Sequence, residues 1–126
     1  MVLDVRIFKA KPFARFAQRE RIKDSVLRNA VERAEKGLVD ADLGGGVIKQ
    51  RVARPGQGRS GGYRTFIAFR RGTRAIFVYG FAKNERDNID DKDLITLRKA
   101  AERWLGATDT KIEIEVSLGN LQEIGK

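Results

Sequence analysis

The architecture of this chain follows from its central stretch, 47-VIKQRVARPGQGRSGGYRTFIAFRRGTRAIFVYGF-81, which contains three segments of β-type composition. Each segment is rich in β-branched and aromatic residues, and glycine-containing turns separate it from the next. The segments are residues 47–54, 63–71 and 74–81, and they are joined by a flexible glycine-rich loop over Pro55–Gly62 and by the short turn Arg71-Gly72-Thr73. Consecutive strands with short connections pair antiparallel, so the stretch predicts a three-stranded meander.

Helical periodicity precedes this meander. A short first strand is expected within Val2–Phe8, and apolar residues at i, i+3 and i+4 then predict a helix over Lys11–Arg21. A second apolar stripe predicts a helix over Asp24–Lys36. Asp24 is its expected N-cap, and Gly37 ends it as the glycine that follows the helix.

The C-terminal part of the chain adds one more predicted helix and a short segment. The helix opens with three aspartates, Asp90, Asp91 and Asp93, because acids favour the positive end of the helix dipole. It runs to Gly106. Lys111–Val116 alternates apolar and acidic residues, which predicts a strand or an ordered tail. The expected fold is therefore α+β, with helices on a small antiparallel sheet. We expect one domain over residues 1–106, and residues 107–126 as its C-terminal extension.

Composition narrows the chemistry that is open to this protein. Its 126 residues fit one domain with a modest core, and they include no cysteine and no histidine. Thiol nucleophiles, disulfides and histidine-based triads are therefore excluded, and catalysis would depend on lysine, arginine, tyrosine, carboxylates or backbone groups. No apolar run approaches bilayer length and no secretory signal opens the chain, so we expect a cytoplasmic protein.

The positive charge is concentrated in the middle of the chain. The formal net charge is +9, and residues 43–84 carry nine lysines and arginines without a single aspartate or glutamate. Acids gather instead in residues 85–126, which carry ten acidic and seven basic groups. An acid-free basic block points to a polyanion partner, and nucleic acid is the first candidate.

Two stretches of the sequence resemble a cofactor or metal site, but neither has the residues or the context that such a site requires. Residues 56–61 read Gly-Gln-Gly-Arg-Ser-Gly, which matches the dinucleotide pattern GxGxxG, but a strand follows where that chemistry needs a helix N-terminus. A P-loop is excluded because Gly62-Tyr63 replaces the required lysine and hydroxyl residue. The aspartates of residues 87–93 are explained by helix capping. We therefore expect no cofactor and no metal ligands.

Cations from three neighbouring strands are expected to meet on one face of the meander. They are Lys49, Arg51 and Arg54 on the first strand, Arg64 on the second, and Lys83 and Arg86 after the third. Alternation places Lys49 and Arg51 together, whereas Arg54 joins them only if a bulge or the strand end turns it. Such a face suits a phosphodiester. Cleavage by the ribose 2′-hydroxyl needs a base, charge stabilisation of a phosphorane and a proton for the leaving oxygen.

The proton carriers are left open by the sequence. Candidates are a lysine of this face, Tyr63, Tyr79 and Glu85. The alternative is a face that binds phosphate and cuts nothing.

Three motifs in order resemble the RelE/ParE superfamily of bacterial toxins, most closely its HigB-like branch. They are Gly46–Ala53 (GVIKQRVA), Gly62–Thr65 (GYRT) and Val78–Glu85 (VYGFAKNE). The resemblance covers about residues 1–105, and it implies helices packed on a small antiparallel sheet. It also implies a ribosome-dependent mRNA endonuclease that a co-encoded antitoxin neutralises, although ParE-like members poison gyrase instead.

The resemblance also implies roles for single residues. It makes Arg64 the loop-to-strand arginine that holds the scissile phosphate, and it puts Asn84 where several relatives carry a catalytic arginine. Many relatives end with a functional tyrosine or histidine, which the C-terminal segment here lacks. The predicted catalytic residues are Lys49, Arg51, Arg64 and Lys83, and the predicted nucleic-acid-binding residues are Arg54, Arg59, Tyr63, Tyr79, Asn84 and Arg86.

The resulting hypothesis is a cytoplasmic toxin that cuts mRNA on the ribosome and is held silent by a cognate antitoxin, expected to be a small DNA-binding protein. It needs no membrane and no small-molecule cofactor. The first alternative is a basic RNA- or ribosome-binding protein without cleavage, and the second is a gyrase poison of the ParE type.

Overall fold

The computed structural model describes residues 4–54 and 58–125, with the backbone alone over residues 58–60. These parts of the chain contain four helices and six strands. In chain order they are β1 (Arg6–Ala10), α1 (Lys11–Glu20), α2 (Asp24–Glu35), β2 (Ala41–Gly44), β3 (Val47–Arg54), β4 (Gly58–Arg70), β5 (Arg74–Ala82), α3 (Asp91–Gly106), α4 (Asp109–Ser117) and β6 (Leu121–Glu123). The predicted α+β class is confirmed. None of the helices in the described ranges is long and apolar enough to span a bilayer.

All six strands belong to one sheet, in the order β2-β3-β4-β5-β1-β6. The meander β3-β4-β5 is antiparallel, as predicted, and β1 joins it in parallel with β5. Helices α1 and α2 pack on one face of this sheet, and α3 and α4 pack on the other. The aromatic residues of β4 and β5 contribute to both cores, so their interpretation as core residues is confirmed: Phe66, Phe69, Phe77 and Phe81.

The helix ends agree with the sequence except at one cap. Pro12 lies in the first turn of α1, and Gly37 follows α2 with a φ of 83°, a conformation that favours glycine. The prediction that Asp24 is the N-cap of α2 is wrong, because Lys23 occupies that position. The Asp24 carboxylate instead accepts a hydrogen bond from the Lys9 ammonium at 2.8 Å and ties α2 to β1.

The glycine-rich stretch is shorter as a loop than predicted. Strand β4 begins at Gly58, which pairs with Arg54, so residues 58–62 belong to the sheet, whereas 55–57 lie outside the described residues. Gly62 shows why glycines are used here. A Cβ at this position would lie 2.2 Å from the Val52 carbonyl oxygen, so a side chain would force β3 and β4 apart.

The predicted strand over Lys111–Val116 is wrong, because these residues lie in helix α4. The Thr108 side chain caps this helix by accepting a hydrogen bond from the Lys111 amide at 3.1 Å. This cap favours the helix over the strand that the alternating pattern predicts. Arg74 holds the start of α4 against the sheet by donating to Asp109 at 2.9 Å. The chain then returns to the sheet as β6, which pairs with β1.

Candidate functional site

The face of β3, β4 and β5 that turns away from α1 and α2 carries two rows of paired side chains. The first row is Lys49, Phe66 and Tyr79, and the second is Arg51, Arg64 and Phe81. Neighbouring strands are about 4.8 Å apart, and alternate residues along a strand are about 7 Å apart. At these spacings, long cationic side chains from both rows can contact the same nucleotide unit. We call these six residues and Arg86 the cationic face.

Arg64 is the central cation of this face. Its exposed fraction is only 7%, and its Nη1 atom is buried without a hydrogen-bond partner anywhere in the part of the chain that the structure describes. A buried guanidinium with an unsatisfied N–H group is unfavourable, since its hydration has been lost without replacement. An anion that binds at Arg64 would supply the missing acceptor.

Arg51 lies directly opposite Arg64 on the neighbouring strand. Like charges in such a pair destabilise a sheet, so the arrangement is unfavourable until a negative group joins it. The backbone at Arg51 is fixed at the edge of β3 by two side chains. The Asp40 carboxylate accepts from the Arg51 amide at 2.5 Å, and Arg33 donates to the Arg51 carbonyl at 2.7 Å.

A β-bulge determines which aromatic residues reach the cationic face. Phe66 pairs with Tyr79, but the next residue, Ile67, pairs with Phe77, so Val78 is an extra residue on β5. A bulge reverses the alternation of side chains along the strand. Phe77 packs with α1 on the far side of the sheet, whereas Tyr79 and Phe81 turn to the cationic face and Gly80, between them, faces α1.

Arg86 lies over the rings of Tyr79 and Phe81 and is held by three hydrogen bonds. Its Nη1 donates to the Tyr79 hydroxyl at 2.9 Å, its Nε donates to the Asn88 carbonyl at 2.7 Å, and its Nη2 donates to the Asp93 carboxylate. Its guanidinium carbon also lies 5.5 Å from the centre of the Phe81 ring, a cation–π contact.

The Arg86–Asp93 pair connects the cationic face to the start of α3. Asp93 belongs to the capping box of that helix and exchanges hydrogen bonds with Asp90. Arg86, followed by the backbone hydrogen bond of Asp90, holds the pKa of Asp93 below its usual value, and Asp93 in turn raises the pKa of Arg86. The contact is therefore complete at neutral pH and is lost when acid protonates Asp93.

Two predicted nucleic-acid-binding residues lie on the opposite face of the sheet. Tyr63 is only 2% exposed and packs edge-on against Phe16 of α1, and the Arg54 guanidinium lies 5.7 Å from the Tyr63 ring. Burial and, second, a hydrogen bond with Glu20 raise the pKa of Tyr63. The register of β3 shifts between Val52 and Arg54, but this shift does not bring Arg54 to the cationic face. Adjacent residues of a strand point to opposite faces, so Tyr63 cannot accompany Arg64.

The remaining predicted residues lie at the rim of the cationic face, or their side chains are outside the described atoms. Lys83 follows β5 directly, is partly buried, and donates its amide to the Gly62 carbonyl at 3.1 Å. Asn84 is exposed in the same turn. The backbone of Arg59 lies in β4, but its side chain is outside the described atoms.

One partner of the cationic face, Asp93, is not predicted from the sequence. Asp93 was interpreted as a residue of the helix start, and the structure shows that it also holds Arg86. No local pattern links Tyr79, Arg86 and Asp93, because they lie on β5, in the segment after it and on α3, and the tertiary structure brings them together. Over residues 4–54 and 58–125, no three acidic side chains are close enough to share a metal ion.

Comparison with known proteins identifies one family. A family model described as "RelE toxin of RelE / RelB toxin-antitoxin system" matches residues 5–124. The match includes most of the segment after residue 106, which the three motifs had not covered. A search of curated proteins finds no significant match.

Proposed function

Because the chain belongs to the RelE family of toxins of toxin–antitoxin systems, we propose that it is an endoribonuclease that cuts mRNA on the ribosome in the cytoplasm. In this proposal the ribose 2′-hydroxyl attacks the adjacent phosphorus, and arginine and lysine side chains stabilise the charge instead of a metal ion. The three sequence motifs further support a place in the HigB-like branch of the superfamily.

The observation that carries the proposal is that Nη1 of Arg64 is buried and has no hydrogen-bond partner among the described residues. It lies between Arg51 on one strand and Phe81 on the other, so a phosphate that reaches it is also within range of a second guanidinium. Donors that are fixed before the substrate arrives stabilise the developing phosphorane without a cost of reorganisation. Lys49, in the neighbouring row, supports the adjoining part of the RNA backbone.

A cleavage assay on programmed ribosomes tests this function. Purified protein should cut mRNA within the codon presented in the A site, and the same mRNA without ribosomes should be cut far more slowly. Inhibition of translation without any cut would favour the alternative of a binding protein. Stabilised cleavage complexes of gyrase and DNA, with intact mRNA, would favour the ParE type.

We further propose that the antitoxin silences the protein by covering the cationic face with an acidic segment. Such a segment would supply acceptors to Arg64 and relieve its repulsion with Arg51. Arg51→Glu should therefore weaken the complex with the antitoxin severalfold or more, measured by calorimetry. Arg71→Glu is the matched control, because Arg71 is an exposed arginine in the turn after β4.

The location of the bound antitoxin gives an independent check on this proposal. Hydrogen exchange of the complex should show protection in β3 and β4. Protection confined to residues 85–126, which carry most of the acids, would contradict it.

A further inference from the structure

The cationic face contains one uncharged side chain that can give up a proton. Among its seven residues, four are lysine or arginine and two are phenylalanine, and Tyr79 is the remaining one. Strand cleavage needs a proton for the 5′-oxygen that leaves, because an alkoxide is a poor leaving group at neutral pH. The proposed function therefore requires a proton donor within reach of the phosphate.

The position of Tyr79 is determined by the bulge at Val78. Without this extra residue, Tyr79 would lie on the same face as Phe77 and would point towards α1. Bulges near functional sites commonly redirect a side chain in this way. The Tyr79 ring is further held between Phe66 and Phe81, with ring centres 6.0 and 5.9 Å away.

The hydrogen bond from Arg86 orients the Tyr79 hydroxyl. The guanidinium donates to the phenol oxygen at 2.9 Å, so this bond uses a lone pair of the oxygen and leaves its hydrogen free for another acceptor. Arg86 cannot swing freely, because Asp93 and the Asn88 carbonyl hold its other nitrogens. A phenolate left after proton transfer would remain in contact with this cation.

From this geometry we infer that Tyr79 is the general acid of the cleavage and that Arg86 is its positioning residue. The inference rests on the proposed function. The 2′-oxygen forms a bond to phosphorus and releases its proton to solvent, while the bond from phosphorus to the 5′-oxygen breaks. The 5′-oxygen keeps the electron pair and takes the phenolic proton of Tyr79. The phenolate then regains a proton from solvent, so the transesterification has no net proton change.

The test compares two RNAs on programmed ribosomes under single-turnover conditions. One is ordinary RNA, and the other carries sulfur in place of the 5′-oxygen at the cut, since a thiolate leaves without being protonated. Tyr79→Phe keeps the ring and removes the hydroxyl. It should slow cleavage of ordinary RNA by about 10²-fold or more, the scale of general acid catalysis, and it should cut the sulfur-containing RNA at the rate of the unmodified protein.

Three further single variants and one double variant separate a proton-transfer role from a structural one. Arg86→Gln should show the same rescue by sulfur, and combining it with Tyr79→Phe should cause little additional loss, because the two residues act as one unit. Arg64→Ala should remain slow on both RNAs. Tyr63→Phe changes the tyrosine on the opposite face, and its rate should be unaffected on either RNA.

The outcomes distinguish this inference from the function on which it rests. Equal slowing of Tyr79→Phe on both RNAs, with normal cleavage by the unmodified protein, would overturn the role of Tyr79 and leave the nuclease proposal standing. Failure of the unmodified protein to cut either RNA on ribosomes would overturn the proposed function and this inference with it.

Discussion

RNA with a single 2′-deoxy nucleotide immediately 5′ of the cut should not be cleaved at that position. The proposed reaction uses that hydroxyl as its nucleophile, so replacing it with hydrogen removes a reactant. Cleavage is measured on programmed ribosomes by primer extension, with the matched all-ribose mRNA as reference. A 2′-deoxy nucleotide on the 3′ side of the cut is the control, and it should be cut normally because its sugar takes no part in the attack.

The chemical ends of the products give a second measure of the same mechanism. Attack by the 2′-hydroxyl leaves a 2′,3′-cyclic phosphate or a 3′-phosphate, and a 5′-hydroxyl on the other fragment. In this mechanism arginine supplies the charge stabilisation that a metal ion supplies in metal-dependent nucleases. Products that end in a 3′-hydroxyl, or cleavage of the 2′-deoxy substrate, would show that water or another nucleophile attacks phosphorus.

Replacing Arg64 with alanine should slow single-turnover cleavage by ~10²–10³-fold, the scale on which one preorganised donor to a developing negative charge contributes. The guanidinium is nearly buried, and its Nη1 has no hydrogen-bond partner among the described residues, so a phosphate that reaches this atom displaces no hydrogen bond from it. The rate constant is measured with saturating protein on programmed ribosomes, so that weaker binding does not obscure the chemical step.

Two controls separate this loss from unfolding and from a change in net charge. Arg64→Met keeps the aliphatic stem, so it should lose activity like alanine while its thermal midpoint stays at or above that of the unmodified protein. The reason is that it removes a buried positive charge that lies directly opposite the positive charge of Arg51. Arg71→Ala removes one charge from an exposed turn and should cut at the normal rate. A similar loss in Arg71→Ala would point to overall charge rather than to the geometry at Arg64.

The residues of the cationic face show which side-chain directions can be predicted from alternation along a strand. Lys49 and Arg51 are two residues apart in an uninterrupted strand, and their shared face follows from alternation. The same rule, applied to adjacent residues, separates Tyr63 from Arg64, so the expectation that both contact nucleic acid overlooked information that was present in the sequence. Arg54 is separated from Arg51 in the same way, and the shift of register near it did not reverse its side.

Helix α4 illustrates the opposite limit, where two local signals conflict. Ile112, Ile114 and Val116 alternate with acids and favour a strand, whereas Thr108 followed by Asp109 favours a helix start. Burial resolves the conflict. In the helix Ile112 and Glu115 face inwards, three residues apart, and Arg103 reaches the buried Glu115 carboxylate at 3.3 Å. These contacts join segments that are distant in the chain, and a pattern within six residues contains no information about them.

Composition, charge and periodicity were enough to predict the α+β class, the antiparallel meander, the first two helices and the gathering of cations on one side of β3, because each depends on residues close together in the chain. The positions of Tyr79 and Arg86 depend on tertiary structure. One extra residue at Val78 inverts the period-two pattern of β5, and it is identified only by the pairing of β5 with β4. Arg86 meets Tyr79 and Asp93 because the turn after β5 packs against the start of α3. Contacts between separate elements are set by packing, and local sequence preference does not specify them.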